Sequence, residues 1–535
     1  MSENDSQKSS TDMEKDGVEE STPTQPDDSQ YPGLATVIPI MAALYLGVFL
    51  VALDRTIIAT AIPRITDDFH SLNDVGWYGS SYLIAACSFQ LLYGKVYTLY
   101  HPKWVYVCSI VLFEVGSTIC GAAPTSTAFI VGRAIAGLGS AGMFSGTVVI
   151  IVNTVPLRKR PAYTGFMGGI FGISSVVAPL LGGAFTDNVS WRWCFYINLP
   201  IGGFAMVIIL LLLKLPHVKK ADNKASIGRH IMRLDPLGTI CFLPSMVCLL
   251  LALQWGGSTY PWSSGKVIPL LVVFAVLICA FVAIQIWGAE DATVPPRIFT
   301  QRSILSGFWY TICVAGSMLV IVYYLPIWFQ AIKGASAVKS GIMNLPLILS
   351  LVLGSIMAGG LVTATGYYNP FMFLCCVLMS IGAGLITTFT PTTGHPKWIG
   401  YQIAYGLGLG LGMQQAAVAS QTILSKKDVP VGVALVFFAQ SLGGAVFVAV
   451  AQNIFTNKLT EGLAKIPDMD PSIILNIGAT AIHKVVKDPE TLTRVLAIYN
   501  DALTDAFRVA LGLACASILG VIAVEWKSVK GKEKQ

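Results

Sequence analysis

The chain has 535 residues, 54% of them hydrophobic and only 12% charged, a balance far from that of soluble globular domains. Apolar runs of about 18 or more residues recur along it, and lipid leaves such runs only a helix or a closed barrel in which to satisfy the backbone. Their length and lack of alternation indicate an all-α polytopic membrane protein, and the net charge of +6 reflects basic loops and does not call for a nucleic-acid partner.

Residues 1–33, rich in Ser, Asp, Glu, Thr and Gln, are expected to form a disordered tail, and the first apolar run starts too late and runs too long for a cleavable signal peptide. Fourteen spans are then expected, at about 34–62, 75–97, 103–123, 127–151, 162–184, 194–214, 235–254, 267–288, 304–326, 338–362, 369–389, 398–421, 431–455 and 506–526. An even count places both termini on one side. With that side cytoplasmic, the inner loops and C-terminal tail collect nineteen Lys and Arg against six in the short outer loops, so both termini are expected in the cytoplasm. The segment 456–505 then lies outside, and 527–535 forms an inner tail.

All eleven cysteines fall within or at the edge of apolar spans and read as small apolar fillers. The six histidines form no metal-binding spacing, and the absence of GxxxxGK[ST] gives no reason to expect ATP hydrolysis by this chain. No cofactor is expected. The stretches "GKVYTLYHPKW" (94–104) and "GGLVTATGYY" (359–368) share Gly, an aliphatic at the third place (Val96, Leu361) and Thr at the fifth (Thr98, Thr363). This suggests two related halves, a six-helix bundle at 34–214 and another at 304–526, with a basic linker and two inserted helices at 215–303.

Five motifs in order carry a resemblance: "LDRTIIATAIP" (53–63), "GRAIAGLGSAG" (132–142), "APLLGGAFTD" (178–187), "WRWCFYINLPIGG" (191–203) and "YYLPIWFQ" (323–330). Over about 34–526 the chain resembles the major facilitator superfamily, specifically its fourteen-span drug:proton antiporters of the fungal toxin and drug efflux type. That resemblance implies two six-helix bundles plus two inserted helices. It departs from the family pattern after span 2, where Thr98, Leu99 and His101 replace the usual Asp, Arg and Gly, and in span 5, where Ser174 and Ala178 replace two glycines. The usual charge-based inner latch is therefore in doubt.

Three ionisable residues share one depth. At about 1.5 Å per residue, Asp54, Glu114 and Arg133 lie roughly 13, 12 and 9 Å from the outer ends of spans 1, 3 and 4. Each is costly in lipid and is expected to face the bundle interior or water. Ala43, Gly47, Asp54 and Ala61 form one stripe, and Arg133, Gly137, Ala141 and Ser145 another. An acid beside a cation that cannot deprotonate can load and release a proton. The resemblance places Arg133 at the family's span 4 arginine, associated with proton coupling, and Asp54 at the span 1 acid. It assigns the stretch with Ala178, Pro179, Gly182 and Gly183 to antiport direction and to preventing leak. The plainer alternatives are structural ion pairs and an ordinary Pro/Gly kink. Arg55, about 100° around the helix from Asp54, is expected to snorkel toward the outer interface, and Asp235 to cap span 7.

Between about 340 and 423 the spans hold no Asp, Glu, Lys or Arg. Tyr323, Tyr324, Asn344, Gln414, Gln421 and Gln440 are expected to border a largely apolar cavity with a few amides, unless the glutamines serve helix contacts and the aromatics the interfacial belt. The expected function is proton-coupled export of bulky amphipathic molecules, cations among them, by alternating access in a monomer that is not an enzyme. The expected site is the plasma membrane, with the vacuolar membrane as alternative. The rival readings are a same-fold carrier of another cargo, such as a siderophore or basic amino acid, and a non-transporting receptor.

Overall fold

The computed structural model describes residues 31–71, 74–215, 232–257, 260–466, 482–486 and 488–530. The expected disordered tail up to residue 30, most of the basic linker at 215–234, part of the segment 456–505 and the last residues of the C-terminal tail lie outside the described residues. Every long element among the described residues is a helix.

In chain order these are α1 (Leu34–Phe69), α2 (Val75–Leu99), α3 (Pro102–Ala122), α4 (Ser126–Thr154), α5 (Arg160–Asn188), α6 (Asn198–Leu212), α7 (Pro236–Trp255), α8 (Val267–Gly288), α9 (Arg302–Ala331), α10 (Leu345–Thr365), α11 (Asn369–Ile386), α12 (His395–Gly412), α13 (Gln415–Ile423), α14 (Val429–Leu463) and α15 (Pro489–Ala523). Twelve helical segments among the described residues are long and apolar enough to cross a membrane. This is a multi-pass membrane protein. The sequence leads one to expect fourteen; the other two stretches form α2, whose hydropathy is lowered by Tyr, Ser and Gly, and the pair α12 and α13, broken at Met413 and Gln414. Below, the near face is the one at which α1 begins, and the far face the opposite one.

Helices α1 to α6 pack on one another, as do α9 to α15. The two groups meet along two seams, α5 with α10 and α2 with α14, and the hairpin α7–α8 lies against α2 and α14. Toward the near face both seams close through glycine. A Cβ on Gly94 would come within 2.7 Å of Ala434 Cβ, and one on Gly359 within 2.8 Å of the Pro161 carbonyl oxygen. These are the first residues of the two sequence repeats, and each sits where the opposite group's backbone approaches. Ser355 Oγ donates to the Gly165 carbonyl at 2.9 Å across the α5–α10 seam.

The chain between α8 and α9 adds a clasp on the same face. Lys95 Nζ donates to the carbonyls of Glu290 (3.2 Å) and Ala292 (2.8 Å). Arg297 donates to Glu290 Oε1 at 2.6 Å and forks onto Asp428 at 3.0 and 2.8 Å, just before α14. The expected doubt about the usual latch is thus met by different residues: the exit from the inserted hairpin ties α2 to the start of α14. Asp235 caps α7, accepting from Gly238 N at 2.8 Å, and its other oxygen accepts from Gln285 and Thr293 beside α8. On the far side Trp262 Nε1 donates to Asn453 Oδ1 of α14 at 2.7 Å, so the hairpin is held at both ends.

Candidate functional site: a buried ion pair among α1, α2 and α4

Helix α4 reaches its neighbours through small residues. A Cβ on Gly137 would come within 2.3 Å of the Tyr82 carbonyl oxygen, and one on Gly139 within 2.4 Å of the Phe113 nitrogen. Ser145, farther along the Gly137 stripe, accepts a hydrogen bond from Gln90 of α2. On α1, Gly47 lies against Tyr106 of α3 and Met143 of α4, and Ala43, Asp54 and Ala61 are buried with it. Both stripes therefore face helices, and they bring Asp54 and Arg133 together.

Arg133 Nη1 lies 2.6 Å from Asp54 Oδ2, and the two side chains are 1% and 0% exposed. Every other ion pair among the described residues includes a partner at least 39% exposed. Arg133 Nε donates to the Tyr78 carbonyl at 3.0 Å, and its guanidinium carbon lies 4.5 Å from the Tyr82 ring centre and 5.8 Å from that of Phe195. Asn198 Nδ2 approaches Asp54 Oδ1 at 3.4 Å and donates to Ser117 Oγ at 3.1 Å. The cation is thus held by three kinds of contact, whereas Asp54 has only one strong donor. A proton arriving at Asp54 would release that bond and leave Arg133 its carbonyl and ring contacts.

Glu114 stands outside this pair. Its carboxylate lies in the seam between α3 and α6, where a Cβ on Gly202 would meet Oε1 at 1.8 Å, and both its oxygens are buried without a hydrogen-bond donor. In α5, Ala178 is fully buried, Ser174 Oγ donates to the Phe49 carbonyl at 3.1 Å, and a Cβ on Gly182 would come within 2.1 Å of Thr60 Oγ1 and 2.9 Å of Ile57 Cγ1. This packs α5 on α1 beside the ion pair. Pro179 lies within the helix, and a Cβ on Gly183 would meet nothing within 4 Å, so close packing explains Gly182 but not Gly183.

The expected cavity residues do not come together. A void of about 10 Å³ lies among Tyr310, Thr311, Val314, Ala315, Met318, Met413 and Gln440, and of the six expected residues only Gln440 borders it. Tyr324 is buried and donates to Gln452 Oε1 at 2.8 Å, Tyr323 is 54% exposed, and Asn344 donates to the Ser340 carbonyl at 3.1 Å. For Tyr324 and Asn344 the physical reason is local: these polar groups find partners between or within helices. Gln414 is buried against Gly168 of α5, and Gln421 is buried with neither amide atom bonded. Arg55, next to Asp54 on α1, is half-buried. Nothing in the sequence singles out Tyr82, Asn198 or Ser117; Asn198 lies inside a quoted motif, but its spacing does not mark it as a partner of Asp54.

Comparison with known proteins agrees with this architecture. The Major Facilitator Superfamily model matches residues 44–448, most of the chain. The chain belongs to the Major Facilitator Superfamily. It is a transporter and not an enzyme. Among relatives of this superfamily, "MFS-type efflux pump MFS1" of Arthroderma benhamiae is 56% identical over 495 residues, covering 92% of each chain. "Efflux pump aflT" of Aspergillus parasiticus is 52% identical, covering 92% of this chain and 96% of its own. "Rubrofusarin-specific efflux pump aurT" of Gibberella zeae is 50% identical, covering 95% and 92%. The solved structure of the proton:xylose symporter XylE shares the superfamily fold, with a TM-score of 0.58 at 16% identity over 92% of this chain and 97% of its own.

Proposed function

We propose that this transporter exports amphipathic small molecules, secondary metabolites or toxins among them, in exchange for protons. The relatives' names support efflux, and the Asp54–Arg133 pair carries the coupling: a buried acid whose strong donor is a cation that cannot deprotonate. Protonation of Asp54 frees Arg133 and loosens α1 from α4, so that the two helix groups rock and the closed near-face seams open. Deprotonation restores the pair. Glu114 is a second acid in the same path. Ala178, Pro179 and Gly182 fix α5 against α1 so that the pair's state is transmitted to the α5–α10 seam, and Gly183 serves another arrangement of that helix in the cycle. Gln440 offers its amide to the cargo, and Gln414 and Gln421 theirs once the void beside Gln440 widens toward them.

The near face is cytoplasmic in this reading, with both termini there, which the distribution of Lys and Arg supports. The protein works as a monomer in the plasma membrane, with the vacuolar membrane as alternative. The test is gradient-driven uptake of a dye or drug into vesicles holding the purified protein, native against Asp54→Asn. Uptake in the native protein, lost in the variant while ligand still binds, supports the reading. No gradient dependence across a broad panel of amphipathic compounds overturns it.

A further inference from the structure

We infer that the near-face rim between the starts of α5 and α14 is a docking surface for the chain's own acidic N-terminal segment, residues 1–30. This goes beyond the efflux reading and concerns the closing of the near face whatever the cargo. Four exposed cations make the rim, Arg158 and Lys159 just before α5 and Lys426 and Lys427 just before α14. Arg160 orders the turn that carries the first two by donating to the Val152 and Val155 carbonyls, each at 3.0 Å. Val152 shares an apolar cluster with Val429 and Val431, which brings the end of α4 beside the start of α14. The two pairs of cations therefore stand on opposite helix groups where these meet. None of the four makes an ion pair among the described residues.

Tyr31 supplies the anchor. It lies three residues before α1, and its ring centre is 5.1 Å from Lys426 Nζ, so the chain entering α1 reaches across to the chain entering α14. The segment that leads to Tyr31 holds nine Asp and Glu against Lys8 and Lys15, a side-chain net charge of −7 in a chain whose total is +6. Asp27 and Asp28 are only four and three residues from Tyr31, within about 14 Å of it even on an extended chain. Tethered there, these carboxylates meet the rim at an effective concentration on the order of millimolar. The topology rule accounts for the sign of the four rim residues but not for the opposite charge gathered on the segment that Tyr31 ties to them. A polyanion laid across cations of both helix groups favours the closed near face, and each opening must first displace it.

The experiment couples carboxylates to lysines with a zero-length carbodiimide on the purified full chain in neutral detergent, and mass spectrometry identifies the joined peptides. Carboxylates of the segment are expected to join Lys159, Lys426 and Lys427 at about five times or more the yield at Lys527 and Lys530, which follow α15 on the same face. Most of that yield is expected to vanish at about 1 M salt, where the screening length falls to about 3 Å. Equal yields at the two sets of lysines, or yields that salt leaves unchanged, overturn the docking. Repeating the coupling in nanodiscs rich in anionic lipid decides the occupant: coupling that persists upholds the proposal, and coupling that disappears assigns the rim to lipid headgroups and overturns it. Arg158→Gln, Lys159→Gln, Lys426→Gln and Lys427→Gln, made together, give a second readout that needs no amine. Cutting after Glu19 and Glu20 by a Glu-specific protease is expected to run about fivefold faster in this variant than in the native chain, and equal rates overturn the docking. The same variant is expected to transport about twofold faster or more, and an unchanged rate overturns the restraint on opening. Docking is read without a gradient, so coupling to the rim with no gradient-driven transport in either chain sinks the efflux reading and leaves the docking surface standing.

Discussion

Arg133 and Asp54 meet at 2.6 Å from helices that are 79 residues apart in sequence, and both side chains are buried. The two partners are not equivalent when separated. A stranded Asp54 can take up a proton, but a stranded Arg133 cannot lose one. Asp54→Leu is therefore expected to lower stability by about 3–5 kcal/mol, Arg133→Leu by less, and the double replacement to recover part of the loss. Unfolding midpoints of the three variants in detergent check this. Equal costs for the two single replacements would show that the pair does not behave as a buried cation with a titratable partner.

Gly359 and Gly183 make opposite predictions for the same substitution. A methyl on Gly359 meets the Pro161 carbonyl oxygen at 2.8 Å and Ala162 Cα at 3.0 Å, both backbone atoms that cannot turn aside. Gly359→Ala is expected to cost about 1–3 kcal/mol and to slow transport, because the seam must close once in every cycle. Gly183 meets nothing within 4 Å, so Gly183→Ala is expected to hold or raise stability by up to about 1 kcal/mol through helix propensity. If Gly183→Ala still abolishes transport, the glycine is needed in another arrangement of α5 and α10, which unfolding and transport measured side by side will reveal.

The fold is readable in the sequence because lipid imposes it: apolar runs of the right length can only be helices, and the Gly94 and Gly359 repeats mark where the two helix groups touch. The ion pair is readable because buried charge in a span needs a partner at its own depth. What escapes the sequence is side-chain direction. Tyr324 turns to Gln452, and Asn198 reaches Asp54, choices set by packing between helices distant in the chain. Periodicity fixes the face of a helix but not which neighbour fills that face.

The near-face clasp has a predictable pH limit. Hydrogen bonds from Arg297 hold the Asp428 carboxyl below its usual range, and those same bonds raise the already high value of Arg297. A carboxyl depressed in the folded state adds stability above its ordinary value of about 3.9, and this is lost as pH falls through the lower folded value. The clasp is thus expected to be intact from neutral pH down to about 4 and to open below it. Asp428→Asn should open it at neutral pH. Trypsin cleavage after Arg297, followed on the folded protein, reports the change; protection unchanged in Asp428→Asn would show that Lys95 alone holds this segment.

Gln421 separates stability from function. Its amide is buried with neither atom bonded, an arrangement that costs about 1–3 kcal/mol without compensation. Gln421→Leu, similar in size, is expected to raise the unfolding temperature. If the amide serves the cargo, the same variant should transport more slowly, with weaker binding of polar substrates. A more stable variant that transports normally would assign Gln421 to no step of the cycle.

Glu114 makes the opposite case to Asp54. Both its oxygens are buried in the α3–α6 seam without a donor, so an ionised carboxylate there would stand uncompensated, whereas a carboxylic acid or an amide fits the space against Gly202. Glu114→Gln is therefore expected to fold at least as stably as the native chain. As a second acid in the proton path, it should change the number of protons exchanged per cargo molecule and leave export itself in place, because the Asp54–Arg133 pair is untouched. Proton release on cargo binding, counted in lightly buffered solution for the native chain and for Glu114→Gln, gives that number. Identical counts would remove Glu114 from the path and leave it as a buried acid that spaces α3 from α6.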